Sequence, residues 1–433
     1  MVTDVEVGVV GAGYVGLTTA VCLAERGFDT VCVDVDLRKL DQLAQGFSVI
    51  GEPDLEDALR AGLGAGTLRF TADYAELSDR DVVFVCVPTP SDADGSADLR
   101  AVDAVVAELG EVLRPGAVVA LKSTVPVGTT TSVAERLRHC GIGAVSTPEF
   151  LREGHAVHDF RHPDRVVVGA TDDDHVAVLR KVLGSDAPML SMTPESAELA
   201  KYASNAFLAV KLSYANSVAD LCARVGADVD DVTRSMGADP RIGAAFLRPG
   251  PGWGGSCLPK DTAALVHVAQ RHGGMLAEVE ACRVTNEGQA GRIAEALERN
   301  VSRPLDGARV TALGLAFKAH TSDTRDSPAL AVCEHLSGLG ANVYGFDPRL
   351  AAIDPAVLQS AGVTAVDDPH RAMKAADAIV VLTEWPEFGS LDWAAVAEQA
   401  PDAVVVDTRN VADPDAVRRA GLRYVANGRP GGY

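Results

Sequence analysis

Over its first 150 residues the chain alternates short valine-rich runs with longer amphipathic stretches, and this alternation predicts a parallel α/β sheet. Strands are expected over 5–10, 30–35, 82–87 and 117–121. The stretch between the first two predicts a helix over about 13–27, closed by Gly27 just past its last turn. The pattern continues through 145–147 and 165–169 and breaks at 188–194, a segment bounded by prolines. From 194 to 226 the segment PESAELAKYASNAFLAVKLSYANSVADLCARVG has no proline after its start, no internal glycine and apolar residues at helical spacing. It predicts one helix of about thirty residues, well beyond the usual length. Lys201 and Asn205 stand at i and i+4 and project from the same face. An alanine-rich helix of this length joins two α/β halves or forms the spine of a dimer.

Beyond about residue 305 the alternation returns and parallels the first half. ARVTALGLAFK resembles EVGVVGAGYVG, and ANVYGFDP ends a strand in Asp347 as TVCVDVD ends one near Asp34. DAIVVLTEWP echoes DVVFVCVPTP, and DAVVVDTRN echoes GAVVALKSTVP. The expected fold class is therefore α/β, with two Rossmann-like doubly wound domains joined by a central helical region containing one long helix. The expected bounds are 1–195, 196–300 and 301–433, and the tail NGRPGGY is expected to be mobile.

Composition narrows the function. At roughly 150 residues per domain, 433 residues give about three domains. Sixty acidic and 39 basic side chains leave a net charge of −21, which disfavours a nucleic acid or an anionic membrane as the main partner. No run approaches the roughly 18 apolar residues of a membrane helix. The N-terminus MVTDVEVGVVGAGYVG enters a strand without a basic leader, so no signal peptide is expected and the cytoplasm is the expected compartment. The eight cysteines form no C-x-x-C pair and read as reduced thiols, with no metal expected. Cys22, Cys32 and Cys86 sit in apolar runs and read as packing residues. Cys257, in PGPGWGGSCLPKD, belongs to no hydrophobic periodicity.

Two motifs carry chemistry. Gly11-Ala12-Gly13-Tyr14-Val15-Gly16 follows a strand and opens a helix, as a dinucleotide fingerprint requires. Asp34, about twenty residues on, is placed to bind ribose hydroxyls and would repel a 2′-phosphate, so NAD is favoured over NADP. In Gly254-Gly255-Ser256-Cys257-Leu258-Pro259-Lys260-Asp261 the proline suits the first position of a helix. Cys257 then lies just before a helix N-terminus with Lys260 close by, and both favour the thiolate. Asp261 follows one turn on, where a carboxylate can hold a water or accept a proton. Its plain alternative is a partner for the helix dipole.

G-G-S-C-x-P-K-D after a G-x-G-x-x-G domain resembles the UDP-glucose/GDP-mannose dehydrogenase family. The likeness runs along almost the whole chain, through VDVDLRKLDQLAQG, EPDLEDAL, VPTPSDADGSADL, KSTVPVGT, TPEFLREG, SAELAKYASNAFLA, RIGAAFLRPGPGWGGSCLPKD and LAFKAHTSDTRDSP. The resemblance implies oxidation of a primary alcohol at C6 of a sugar nucleotide to a carboxylate, with two NAD and one water consumed. It implies Cys257 as the nucleophile that forms a thiohemiacetal and then a thioester, and Asp261 as the base acting through water. Lys201 and Asn205 would stabilise oxygen charge, and Thr124 and Glu149 would position water. Around NAD it places the fingerprint residues with Asp34, Lys39, Thr89, Thr124, Glu153, Lys260 and Arg325. Around the sugar nucleotide it places Glu149, Phe150, Leu151, Arg152, Glu153, Lys201, Asn205, Arg241, Phe246, Leu247, Arg248, Pro249, Gly250, Gly254 and Lys318.

Only eight of the 39 basic residues are lysine, yet Lys39, Lys201, Lys260 and Lys318 all fall in these motifs. With Arg241 and Arg325 they predict a basic island on an acidic protein, suited to a pyrophosphate-linked sugar and NAD. RIGAAFLRPGPGWGGSC resembles the UDP-glucose branch most, and UDP-glucose is the expected substrate. Trp253 and Leu258 depart from the aromatic residues usual there, so GDP-mannose and thymidine-linked glucose stay open. A different class is a two-electron alcohol dehydrogenase with a structural cysteine, and a third is an NAD-binding regulator. A homodimer or higher homo-oligomer is expected from the long helix.

Overall fold

The computed structural model describes residues 5–92 and 94–433. The first four residues, part of the stretch MVTDVEVGVVGAGYVG on which the signal-peptide expectation rests, and position 93 of the VPTPSDADGSADL motif lie outside the described residues. The chain divides into two compact units. One closes at Ser204 and takes in Ala263–Gly273; the other comprises Asn205–Thr262 and Gly274–Tyr433.

The first unit is built on β1 (Val7–Val10), α1 (Tyr14–Glu25), β2 (Thr30–Val33), α2 (Leu37–Ala44), α3 (Leu55–Ala65), β3 (Leu68–Thr71), β4 (Val82–Val85), α4 (Arg100–Val112), β5 (Val118–Leu121), α5 (Thr129–Leu137), β6 (Gly143–Ser146), α6 (Ala156–Arg161), β7 (Val166–Gly169), α7 (Asp173–Leu183) and β8 (Met189–Met192). Its sheet runs β3-β2-β1-β4-β5-β6-β7-β8, which contains the Rossmann order, and only the β6–β7 pairing is antiparallel. Val7 pairs with both Thr30 and Val82, so the strands end level. Gly11, Asp34 and Cys86 therefore follow neighbouring strands at one edge of the sheet. Valine-rich strands buried on both faces suit a parallel sheet clothed by helices, and two clusters of buried apolar residues cover its faces.

In sequence, between the strands of the two sheets, come α8 (Pro194–Val225), α9 (Val229–Gly237), α10 (Leu258–Arg271), α11 (Ala277–Glu287) and α12 (Gln289–Asn300). Helix α8 is 32 residues long, and the expected single helix ends one residue sooner. The second sheet has β9 (Arg309–Leu313), α13 (Pro328–Gly338), β10 (Asn342–Phe346), α14 (Pro355–Ser360), β11 (Val363–Ala365), α15 (Pro369–Met373), β12 (Ala378–Val381), α16 (Trp393–Gln399), β13 (Val404–Asp407), α17 (Pro414–Arg419) and β14 (Arg423–Ala426). Its order β11-β10-β9-β12-β13-β14 repeats the Rossmann order of the first unit. Among the described residues no helix is long and apolar enough to cross a membrane.

Three expectations need correction. The break at 188–194 contains a strand, β8, which hydrogen-bonds along β7; Met-Leu-Ser-Met lacks β-branched residues and so carries little strand signal. Pro259 takes the second position of α10, because the helix opens at Leu258. The C-terminal tail is docked. Tyr433 is buried, its carbonyl accepts from Gly428 N–H at 3.0 Å and Arg292 Nη2 at 3.0 Å, and Arg429 pairs with Asp230. Glycine-rich composition suggested mobility, whereas contacts more than a hundred residues away in sequence fix the segment.

Candidate active site

In the first unit the fingerprint forms a cradle. Gly11 turns at φ 98°, and a Cβ on Gly16 would overlap the Gly11 carbonyl. Gly13 caps α1 without a side chain, and a Cβ there would meet nothing within 4 Å. No cap side chain occupies the first-turn N–H groups, and a helix N-terminus of this kind suits a phosphate. Asp34 follows β2; its Oδ2 accepts from Ala12 N–H at 2.7 Å and Lys39 Nζ at 3.0 Å, and its Oδ1 from Asp36 N–H at 2.9 Å. Burial would raise this carboxyl's pKa, but those donors outweigh it and hold the group below the usual range. A fixed carboxylate beside a capless helix N-terminus fits the ribose and pyrophosphate of NAD. Thr89 Oγ1 donates to the Thr124 carbonyl at 2.8 Å, tying together the loops that follow β4 and β5. Tyr14, inside the fingerprint, donates to Glu52 Oε1 at 2.7 Å and lies 3.0 Å from the Arg152 carbonyl. Glu52 also accepts from the backbone of Gly154 and Ala156. One carboxylate therefore ties the fingerprint to the backbone at Gly154 and Ala156, just after the Phe150–Glu153 segment.

Glu149 and Lys201 form a buried pair, with side chains 8 % and 4 % exposed. Lys201 Nζ donates to Glu149 Oε1 at 2.9 Å and to its carbonyl at 2.6 Å, and Leu151 N–H donates to Oε2 at 2.6 Å. Burial pushes the Glu149 carboxyl up; the Lys201 ammonium, the Leu151 N–H and Lys122 overcome it and hold it below the usual range. Phe150 carries Lys201 Nζ at 5.2 Å and the Arg165 guanidinium at 3.8 Å from its ring centre. Leu151 and Glu153 are half-buried, and exposed Arg152 is bidentate to Asp159.

In the second unit Cys257 is exposed and forms the N-cap of α10, its carbonyl accepting from Asp261 N–H at 2.9 Å. Ser256 Oγ lies 3.5 Å from the Cys257 sulfur. Asp261, 1 % exposed, is held on both oxygens: Lys260 Nζ donates to Oδ1 at 2.7 Å and Asn205 Nδ2 to Oδ2 at 2.5 Å. Lys260, expected near the thiol, is thus committed to Asp261. The approach to Cys257 needs glycines. A Cβ on Gly254 would overlap the Asp326 carbonyl, and Gly255, at φ 79°, lies against the Phe317 ring. Every other cysteine except Cys140 is buried. Burial pushes the Cys22, Cys86 and Cys333 thiols up to about 12, which leaves them inert at neutral pH.

In the Phe246–Gly250 segment Leu247, Pro249 and Gly250 are buried while Phe246 and Arg248 are exposed. Gly250 N–H donates to Asn216 Oδ1 at 2.8 Å, and a Cβ on Gly250 would run into the Arg409 guanidinium. Arg241 and Arg325 are exposed and each is bidentate to an aspartate two residues earlier, Asp239 and Asp323. The expected basic island is therefore largely neutralised at its two arginines. Lys318 is half-buried, 5.4 Å from the Phe317 ring centre.

Sequence reasoning passed over three residues here. Glu52 lies in a motif already noted, but its partners are about a hundred residues away. Arg409 follows β13, in the echo of a strand whose sequel was noted. Lys122 directly follows β5, is buried, and is pushed down by burial against the pull of Cys86 and Glu149. A lysine inside the apolar run VVALKSTV was the available signal.

A cradle that takes NAD, in a chain with a second Rossmann sheet and an exposed thiol at a helix N-terminus, defines an NAD-dependent dehydrogenase. Comparison with known proteins gives the particular group. Models of the UDP-glucose/GDP-mannose dehydrogenase family match residues 5–184 (NAD binding domain), 195–288 (central domain) and 311–414 (UDP binding domain). UDP-glucose 6-dehydrogenase of Rhizobium meliloti is 42 % identical over 437 residues, spanning 98 % of this chain and 100 % of its own. The UDP-glucose 6-dehydrogenase of Pseudomonas aeruginosa is 41 % identical, over 98 % of this chain and 97 % of its own. A solved UDP-glucose dehydrogenase from Pyrobaculum islandicum superposes with a TM-score of 0.89 at 38 % identity, covering 98 % of each chain. The chain belongs to the UDP-glucose/GDP-mannose dehydrogenase family.

Proposed function

We propose that this chain oxidises UDP-glucose at C6 to UDP-glucuronate, forming two NADH, and that it does so through Cys257. The names of its relatives and the matched UDP binding domain support the substrate. The observation that carries the chemistry is Asp261, a buried carboxylate held on both oxygens one turn after an exposed cysteine. The working divisions of the chain are 1–195 for NAD, 196–300 for catalysis and dimerisation, and 301–433 for the sugar nucleotide.

NAD, when bound at the fingerprint, Asp34 and Lys39, supplies the acceptor for both hydrides that leave the C6 carbon. Asp261 takes the hydroxyl proton through a water as the alcohol becomes an aldehyde. The Cys257 thiolate adds to the aldehyde carbon, and Lys201 and Asn205 donate to the oxygen that gathers charge. One such donor is typically worth about 2.7–4 kcal/mol. The covalent adduct keeps the carbon in place until its second oxidation leaves a thioester. Water positioned by Glu149 and Thr124 hydrolyses that thioester and frees the thiol. Lys318 supplies positive charge for the sugar nucleotide.

The enzyme works in the cytoplasm as a homodimer built on α8. On that helix Phe207, Tyr214 and Leu221, seven residues apart, are 64 %, 56 % and 57 % exposed, a stripe suited to a second copy. Steady-state kinetics with UDP-glucose, GDP-mannose and thymidine-linked glucose in parallel test the substrate. UDP-glucose should have the highest kcat/KM by at least tenfold, and equal values would overturn that choice. Cys257→Ser should nearly abolish turnover; a variant that still forms two NADH per sugar would remove the cysteine from the mechanism.

A further inference from the structure

Helix α11 lies outside every motif assigned above, yet two of its side chains hold the segment that carries Cys257 at both ends. Asn286 brackets Trp253: Trp253 N–H donates to Asn286 Oδ1 at 2.8 Å, and Asn286 Nδ2 donates to the Trp253 carbonyl at 2.9 Å. Arg283, three residues earlier and so on the same face, donates from Nη1 to the Pro259 carbonyl at 3.2 Å and to Thr262 Oγ1 at 3.0 Å. Five residues, 254–258, lie between the two anchors. The segment is folded closely onto the first of them, since a Cβ on Gly252, at φ 131°, would come within 2.7 Å of Asn286 Oδ1.

The helix that provides the anchors is itself fixed. Val279 and Cys282 are buried, and the Cys282 carbonyl accepts from Ser213 Oγ at 2.8 Å. The same hydroxyl accepts from the Trp253 indole N–H at 2.9 Å. Trp253, Pro259, Arg283 and Asn286 also line a cavity of about 520 Å³. Within the segment Gly255 N–H donates to the Arg325 carbonyl at 3.0 Å and Gly254 lies against the Asp326 carbonyl, so the two α11 side chains act at its ends and these contacts at its middle.

We infer that Asn286 and Arg283 are positioning residues that place the Cys257 sulfur for addition to the aldehyde. The inference rests on Cys257 acting as the nucleophile. A reacting atom misplaced by about 1 Å can cost up to about 100-fold in rate, and a segment released at one end has the neighbouring cavity to move into.

The test compares Asn286→Ala and Arg283→Met with the conservative Asn286→Asp and Arg283→Lys. Val279→Ala serves as a destabilised control on the same helix, and Cys257→Ser as the reference. Two readouts are taken: the pH profile of Cys257 alkylation by iodoacetamide, located by mass spectrometry, and kcat and KM for UDP-glucose with a carbonyl trap present. Asn286→Ala should lower kcat about 10- to 100-fold with KM within about twofold, shift the alkylation profile and release aldehyde to the trap. Arg283→Lys should recover much of what Arg283→Met loses, and Val279→Ala should shift neither readout at a comparable loss of Tm. If Asn286→Ala does not fold, Asn286→Asp carries the test, because it keeps the acceptor for Trp253 N–H and loses the donor to the Trp253 carbonyl. Wild-type kcat and alkylation in the anchor variants would overturn the inference, as would a Val279→Ala variant that reproduces their losses. Two-NADH turnover by Cys257→Ser would instead overturn the nucleophile reading, while the alkylation profile of the anchor variants would still report whether the segment had moved.

Discussion

Glu149 and Lys201 show what a buried ion pair does to titration. The Glu149 carboxyl is held below its ordinary range, so its contribution to stability is complete above the unfolded-state pKa of about 4.3. That contribution is lost only as the pH falls through the lower folded-state value. Lys201→Met leaves a buried carboxylate whose pKa burial pushes up, with Lys122 as the remaining nearby cation. We predict that the variant loses about 3–5 kcal/mol at pH 7, and that the loss shrinks as the pH is lowered toward about 5. Urea midpoints across that range check it, and a pH-independent loss would contradict the assignment. At this scale residue type and spacing single out Cys257 and Asp261 as candidates and place Lys201 and Asn205 on one helix face, while the roles of the latter two come from the family resemblance. What was not legible is which group each one holds. Lys201 and Asn205 stand one turn apart, yet Lys201 is bonded to Glu149 and Asn205 to Asp261, partners more than fifty residues away. Spacing reports a shared helix face, and only tertiary structure assigns the partner.

At the scale of elements, strands rich in β-branched residues and the long helix could be read directly, since apolar periodicity and the absence of glycine and proline decide them. Strand β8 was missed for want of β-branched residues, and the C-terminal segment was misread from its glycines. Its order comes from Arg292, whose guanidinium lies 5.1 Å from the Tyr433 ring centre, and from Asp230, which binds Arg429. Burying a side chain of this size contributes roughly 1.5–3 kcal/mol. Deleting residues 429–433 should therefore lower Tm by several degrees and expose α9 to faster hydrogen exchange. Unchanged Tm and exchange would show that the docked segment contributes nothing to stability.

For the whole molecule, the charge of −21 has a structural use as well as a bearing on partners. Asp36, Asp172, Asp228, Asp354, Asp368, Asp392 and Asp413 cap helix N-termini with their side chains. Each such cap is typically worth about 1 kcal/mol. Aspartates two residues before Arg241 and Arg325 also neutralise guanidinium groups that the sequence, taken alone, places in a basic island. The two Rossmann orders were foreseeable from the internal echo, whereas pairing of charges at turns leaves no trace in a net charge. The exposed stripe on α8 predicts that Phe207→Asp converts a dimer to monomers in light scattering at micromolar concentration, and a monomeric wild type would refute it. The central claim is that one chain carries an alcohol through to an acid with the intermediate held on Cys257. The direct measurement is NADH formed from limiting UDP-glucose in the presence of excess NAD. Two NADH per sugar is predicted for the wild type, and one NADH per sugar with free aldehyde as the product would contradict the claim.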